Sequence, residues 1–185
     1  MELFADLEVL TLWLAWSYSY FFRAPKVQKR ESITVVWPSR IGIFLEVAGV
    51  FLVCWFRASD GPRNSPWALV TALALGITGV ILMWTAVTHL GRQFRLHAGL
   101  YHDHELVRTG PYAIVRHPIY ASLLALTLST GLLLSQWLWF AIGVVVFLVG
   151  TEIRVHIEDS LLASRFGKDF AEYKRRVPAY LPPFR

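Results

Sequence analysis

The chain has little of what marks a secreted or nucleotide-binding soluble protein. It holds one cysteine, Cys54, set inside an apolar run, so no internal disulfide can form and nothing points to an oxidising compartment. No GxGxxG turn is present, which excludes the glycine-rich strand-turn-helix that cradles a nucleotide in soluble α/β folds. Charged residues make up only 17% of the 185. There is no signal-peptide cleavage pattern; the first apolar run is long and basic residues follow it, which reads as a retained helix. Internal repeats and low-complexity tracts are also missing. Acidic residues are the scarcer sign, giving a net charge of +5 and a pI near 9.6. In an apolar chain this excess is explained by membrane topology and anionic lipid, not by nucleic acid.

What the chain does have is hydrophobic length. Fifty-five per cent of residues are hydrophobic and the mean hydropathy is +0.46. The apolar residues fall in blocks of about 17 to 24, long enough to span a bilayer. The expected fold class is an all-α polytopic membrane protein with five transmembrane helices, forming one integral membrane domain over 1–185. Three spans would lie in 1–90 and a site-bearing half in 91–185. The predicted spans are Val9 to Phe22 (Leu3 at the earliest), Ile41 to Phe56, Trp67 to His89, Pro118 to Leu134, and Trp137 to about Ile153. Beyond Ile153 the helical pattern continues as a charged extension to Phe166. With the N-terminus outside, 16 of the 18 lysines and arginines fall on the inner side, and only Arg57 and Arg63 fall outside. That bias predicts an N-out, C-in orientation. It puts the polar segment 91–117 and the tail together on the cytoplasmic face of a multi-pass integral membrane protein. The membrane would be the plasma or inner membrane of a prokaryote, or the endoplasmic reticulum of a eukaryote.

Two polar groups stand at the edges of these spans. In Arg116-His117-Pro118, the residue before proline is pushed away from helical angles, and proline is favoured as a first helical residue. A helix should therefore start at Pro118. Its N-terminus, with Arg116 and His117 beside it, suits a carboxylate or phosphate. Tyr112 and Tyr120 supply aromatic faces. The plainer reading is interfacial anchoring by arginine and tyrosine. The second group is Arg154 and Glu158, four apart on one helix face. An exposed ion pair of that kind would contribute only about 0.3–0.5 kcal/mol. Yet Arg154 follows an unbroken apolar span, and charge near the membrane boundary usually meets a ligand or partner. Glu46, inside the second span, either lines a substrate path or pairs with a polar group on another helix. Ala72, Gly76 and Gly79 read as helix-packing positions. Trp13, Trp16, Trp137 and Trp139 read as interface anchors. Five of the six histidines lie between His89 and His117, but no cysteine accompanies them and their spacing fits no common zinc pattern, so no metal is expected.

Three blocks in order resemble the isoprenylcysteine carboxyl methyltransferases and their prokaryotic relatives. They are HELVRTGPYAIVRHPIY (His104 to Tyr120), Arg154 with Glu158, and FGKDFAEYKRRVPAYLP (Phe166 to Pro182). The resemblance covers His89 to Arg185. It implies methyl transfer from S-adenosyl-L-methionine to a carboxylate on a lipid-modified or amphiphilic small molecule, with membrane lipid as the other partner. It implies cofactor contacts from His104, Glu105, Leu106, Val107, Tyr112, His117, Pro118, Ile119, Tyr120 and Glu158, and a substrate-handling, catalytic role for Arg154. His97 stands where relatives can carry a cofactor-touching glutamine, and is included on that basis. Asp159 replaces the second glutamate of the usual pair, one methylene shorter. Two other readings stay open: an NADPH-dependent sterol or steroid reductase-like membrane enzyme, and a non-catalytic membrane scaffold.

Overall fold

A computed structural model describes residues 2–23, 32–34, 37–58, 65–94, 99–101 and 103–181. Six α-helices occur among them: α1 (Glu2–Tyr18), α2 (Trp37–Trp55), α3 (Pro66–Leu90), α4 (Pro118–Leu134), α5 (Trp137–Phe166) and α6 (Lys168–Arg176). Each of the five apolar blocks becomes one helix, α1 to α5. A short π-helical segment, Ser19–Arg23, extends α1. The all-α expectation needs one amendment, a short antiparallel ladder between β1 (Ser32–Thr34) and β2 (Gly99–Tyr101), with Ile33 opposite Leu100.

Three helices, α2, α3 and α5, are long and apolar enough to cross a membrane. Helix α4 is apolar but shorter, at 17 residues. The outer faces carry exposed Phe44, Phe51, Ile81 and Val145, an arrangement that suits lipid and would be a liability in water. The inner contacts are rich in small and hydroxyl residues. Without a hydrophobic drive between helices in lipid, close backbone approach and hydrogen bonds must hold them. Helices α3 and α4 meet this way. Ser129 Oγ donates to the Ala72 carbonyl at 2.7 Å, and a Cβ added to Gly79 would lie 2.8 Å from the Ser122 carbonyl. Helices α2 and α5 make a second seam through Gly42 and Gly49 on one side and Gly143 and Gly150 on the other.

The helices alternate in direction, which separates two ends. At one end, Arg57 after α2 pairs with Asp6 at the start of α1, and Gln136 N–H donates to the Phe56 carbonyl at 3.0 Å. The other end gathers the close of α1, the close of α3, the start of α4, the charged extension of α5, and α6. Trp13 and Trp16 are not simple interface anchors. Their indole N–H groups donate across the bundle to Thr130 Oγ1 and Ser122 Oγ, each at 3.0 Å.

Candidate active site

The site is built where the α4 start meets the α5 extension. Helix α4 begins at Pro118 with His117 at φ −123° and ψ 64°, outside the helical region as its proline neighbour requires. Ahead of it, Gly110-Pro111-Tyr112-Ala113 forms a single 3-10 turn. Gly110 sits at φ +59°, and a Cβ there would run into the His89 ring at the end of α3. Only glycine fits that backbone and that contact together. The turn is thereby fixed against α3, with Tyr112 facing inward.

The C-terminal segment closes the site from behind. Gly167 (φ +51°) ends α5 and turns the chain into α6. Phe170, Tyr173 and Val177 pack on Leu106 and Leu162. Tyr173 Oη donates to the Tyr112 carbonyl at 2.6 Å. Past α6, the Pro178 and Ala179 carbonyls accept from the Arg116 and His117 backbone N–H groups at 2.8 and 2.7 Å. The backbone N–H groups just ahead of the α4 start are therefore occupied by the chain itself.

A polar network runs through the junction. Asp159, buried, accepts from Arg116 Nη2 at 3.0 Å and lies 3.0 Å from His117 Nε2 and 2.9 Å from Lys174 Nζ. The other His117 nitrogen, Nδ1, lies 3.3 Å from Glu158 Oε2. Burial alone would lower the His117 pKa, but the hydrogen bonds to Asp159 and Glu158 outweigh it and the pKa is raised. The imidazolium form, with both nitrogens donating, is favoured. Tyr120 Oη donates to Glu158 Oε1. Burial also raises the phenol pKa of Tyr112, and it pushes that of Tyr173 up to about 12, so both remain neutral donors. Arg154 Nη1 donates to Glu46 Oε2 at 2.7 Å, and its guanidinium carbon lies 4.8 Å from the centre of the Tyr120 ring.

Tyr112, Arg116, His117, Tyr120, Arg154, Glu158 and Tyr173 of this network border one cavity of about 190 Å³. Its wall includes His104, Glu105, Leu106, Val107, Tyr112, His117, Pro118, Ile119, Tyr120, Arg154 and Glu158. Every predicted site residue but one is thus brought to a single space; His97 lies outside the described residues. Glu158 reaches the cavity with its side chain 27% exposed, whereas Asp159 is sealed at 6%. Sequence reasoning did not find the part of the wall made by Trp16 and Tyr20 from the end of α1, or by Gln93 and Phe94 after α3. Nor did it give Glu46 a partner. The available signals were a tyrosine- and tryptophan-rich span end and a carboxylate inside an apolar helix, and neither names what it meets.

Fold and site together define a helical membrane-type protein with a pocket at one end of its bundle, apolar over much of its wall with a few converging polar groups, centred where α4 meets α5. The model of the isoprenylcysteine carboxyl methyltransferase (ICMT) family matches residues 72–164. The chain belongs to that family. It is 30% identical over 148 residues to the cobalt-zinc-cadmium resistance protein CzcN of Cupriavidus metallidurans, covering 77% of this chain and 63% of that one. It is 34% identical over 125 residues to protein-S-isoprenylcysteine O-methyltransferase B of Arabidopsis thaliana, covering 66% of this chain and 63% of the relative. The chain thus spans somewhat under two thirds of the length of these relatives. A solved eukaryotic intramembrane Ras methyltransferase, ICMT, superposes with a TM-score of 0.51 at 22% identity, over 97% of this chain and 52% of that one, a likeness of fold.

Proposed function

We propose that the protein is a membrane carboxyl O-methyltransferase that uses S-adenosyl-L-methionine and acts on a prenylcysteine or similar lipid-like carboxylate. We propose further that it is one domain of five spans, N-out and C-in, with the site on the cytoplasmic face. The observation that carries the reading is the convergence of Glu158, Tyr112, Tyr120 and Arg154 on one cavity. The family membership supports it, and so does the activity for which the Arabidopsis relative is named.

The donor set fits the cofactor. Glu158 presents a partly exposed carboxylate for an ammonium or for ribose hydroxyls. Arg116 lines the cavity, and its buried Nε has no acceptor among the described residues, which suits a carboxylate. The Tyr112 ring and the apolar Leu106, Val107 and Ile119 offer faces for an adenine. When bound, the cofactor supplies a methyl group on a sulfonium. His117, paired with both acids, holds Glu158 in place. Arg154 orients the acceptor carboxylate, which is already ionised and needs no base. Positioning is then the main requirement, and can lower a barrier by roughly 7–11 kcal/mol. Tyr173 and the 177–179 strap close the rear of the cavity against water. Leu123, Leu161 and Leu162 line an apolar side suited to a lipid chain.

Calorimetric titration of the purified protein tests the cofactor assignment. S-adenosylhomocysteine should bind and NADPH should not. Tight binding of NADPH alone would replace the proposal with the reductase reading, and binding of neither would favour a scaffold.

A further inference from the structure

We infer that Glu46, on a helix carrying none of the family's motif residues, is a positioning residue that acts through Arg154. The inference rests on the methyl-transfer reading above. Both oxygens of the Glu46 carboxylate are used by α5: Oε2 accepts from Arg154 Nη1 at 2.7 Å, and Oε1 accepts from Thr151 Oγ1 at 3.1 Å. Thr151 and Arg154 lie about one turn apart on α5, so they meet the carboxylate from the same face. The Glu46 side chain is 3% exposed and that of Arg154 is 10% exposed. Arg154 lines the cavity, and Glu46 stands behind it, off the cavity wall. The Tyr120 ring bounds the guanidinium on another side, at 4.8 Å. Two fixed contacts therefore set the plane and edge that Arg154 offers to a ligand.

The α2–α5 seam makes this reach possible. Gly42 lies one turn before Glu46. A Cβ there would be 2.9 Å from the Gly150 carbonyl and 3.1 Å from Arg154 Cδ, and would also strike Cγ. A Cβ on Gly150 would lie 2.6 Å from the Gly42 carbonyl and 2.9 Å from the Glu46 nitrogen. The two backbones meet without side chains just where the arginine stem passes. Glu46 also offsets the charge of Arg154. An acceptor carboxylate then meets a guanidinium already paired, which orients it without holding it too tightly to react. Helix α2 thus contributes to the chemistry through one buried carboxylate.

The test compares full-length wild type with Glu46→Gln and Glu46→Leu in detergent or bilayer discs. Prenylcysteine-analogue kinetics, S-adenosylhomocysteine affinity and the ¹⁵N–H signal of the Arg154 side chain (assigned by its loss in Arg154→Lys) are measured. Glu46→Leu should lower kcat/KM on the order of 100-fold, the scale of an angstrom-level misplacement. Glu46→Gln keeps an acceptor for Arg154 and should lose about tenfold, with cofactor affinity in both variants within about threefold of wild type. In an Arg154→Ala background, neither change should have any further effect. Unchanged kinetics, additive losses, or an equal loss of cofactor affinity would each overturn the inference, the last by revealing a role in the fold. If Glu46→Leu does not fold, Glu46→Gln decides. If the wild type methylates no acceptor, it is the functional reading that fails. The tether is then judged by the Arg154 signal alone, which must change in Glu46→Gln for the inference to stand.

Discussion

Replacing Asp159 with asparagine should loosen the junction that holds the site together. The carboxylate meets three cationic groups, and their exposures set the magnitude. Lys174 is 53% exposed at the side chain, so its pair with Asp159 contributes at most about 1 kcal/mol. Arg116 and His117 are 3% and 5% exposed, and their contacts with Asp159 are each 3.0 Å. Removing one partner of such a buried pair costs roughly 3–5 kcal/mol, because the remaining charge is stranded. The asparagine amide also turns a donor toward one of two donors. For a chain of this size, each kcal/mol corresponds to roughly 2–4 °C in Tm, so a loss of about 3 kcal/mol lowers Tm by roughly 6–12 °C. Tryptophan-fluorescence melting in one detergent, with Lys174→Ala as the control, reads this directly. Lys174→Ala should shift Tm by less than about 4 °C. Wild-type melting of Asp159→Asn, or an equal loss in Lys174→Ala, would refute the assignment of the buried pairs.

Glu158→Gln should weaken S-adenosylhomocysteine about tenfold or more in calorimetry, since a charge-assisted contact contributes about 1.5–3 kcal/mol. Arg154→Ala should lower the transfer rate far more than it weakens cofactor binding, as measured by comparing kcat with the calorimetric Kd. Gly110→Ala should destabilise by about 1–3 kcal/mol, because a side chain at φ +59° is strained and meets the His89 ring; a thermal melt checks it. The pH response follows from His117, whose pKa is raised in the fold. The stabilisation from its pairing is complete below the ordinary imidazole range and is lost as pH rises through the raised value. Tm should therefore fall as pH rises above the ordinary imidazole range, and His117→Gln should flatten that fall.

Much of this architecture could be read from the chain because each helix is written as an apolar block and each end as a proline, a glycine or a change of charge. The start of α4 at Pro118 and the run of α5 to Phe166 follow from such local signals. The pairing of helices does not. Gly42, Gly49, Gly143 and Gly150 carry no mark in sequence that assigns α2 to α5. Glu46 is legible as a charge needing a partner, but Arg154 lies 108 positions away, and only the folded seam joins them. The α4 start suggests an anion site because the N–H groups of a helix N-terminus are free in isolation. Pro178 and Ala179 occupy the N–H groups of residues 116 and 117, a contact between distant segments that no local pattern encodes. In sequence Asp159 stands out only as a shortened glutamate, yet three cations converge on it in the fold.

The central claim is transfer of a methyl group from S-adenosyl-L-methionine to a lipid-borne carboxylate. The most direct measurement incubates the purified protein with the methyl-radiolabelled cofactor and a panel of prenylcysteine analogues and membrane lipids. Transferred label is then tested for release as methanol by mild base. Base-labile label on a prenylcysteine or other amphiphilic carboxylate, lost in Arg154→Ala, is the expected result. Absence of label from every acceptor, or label that resists base, would contradict it.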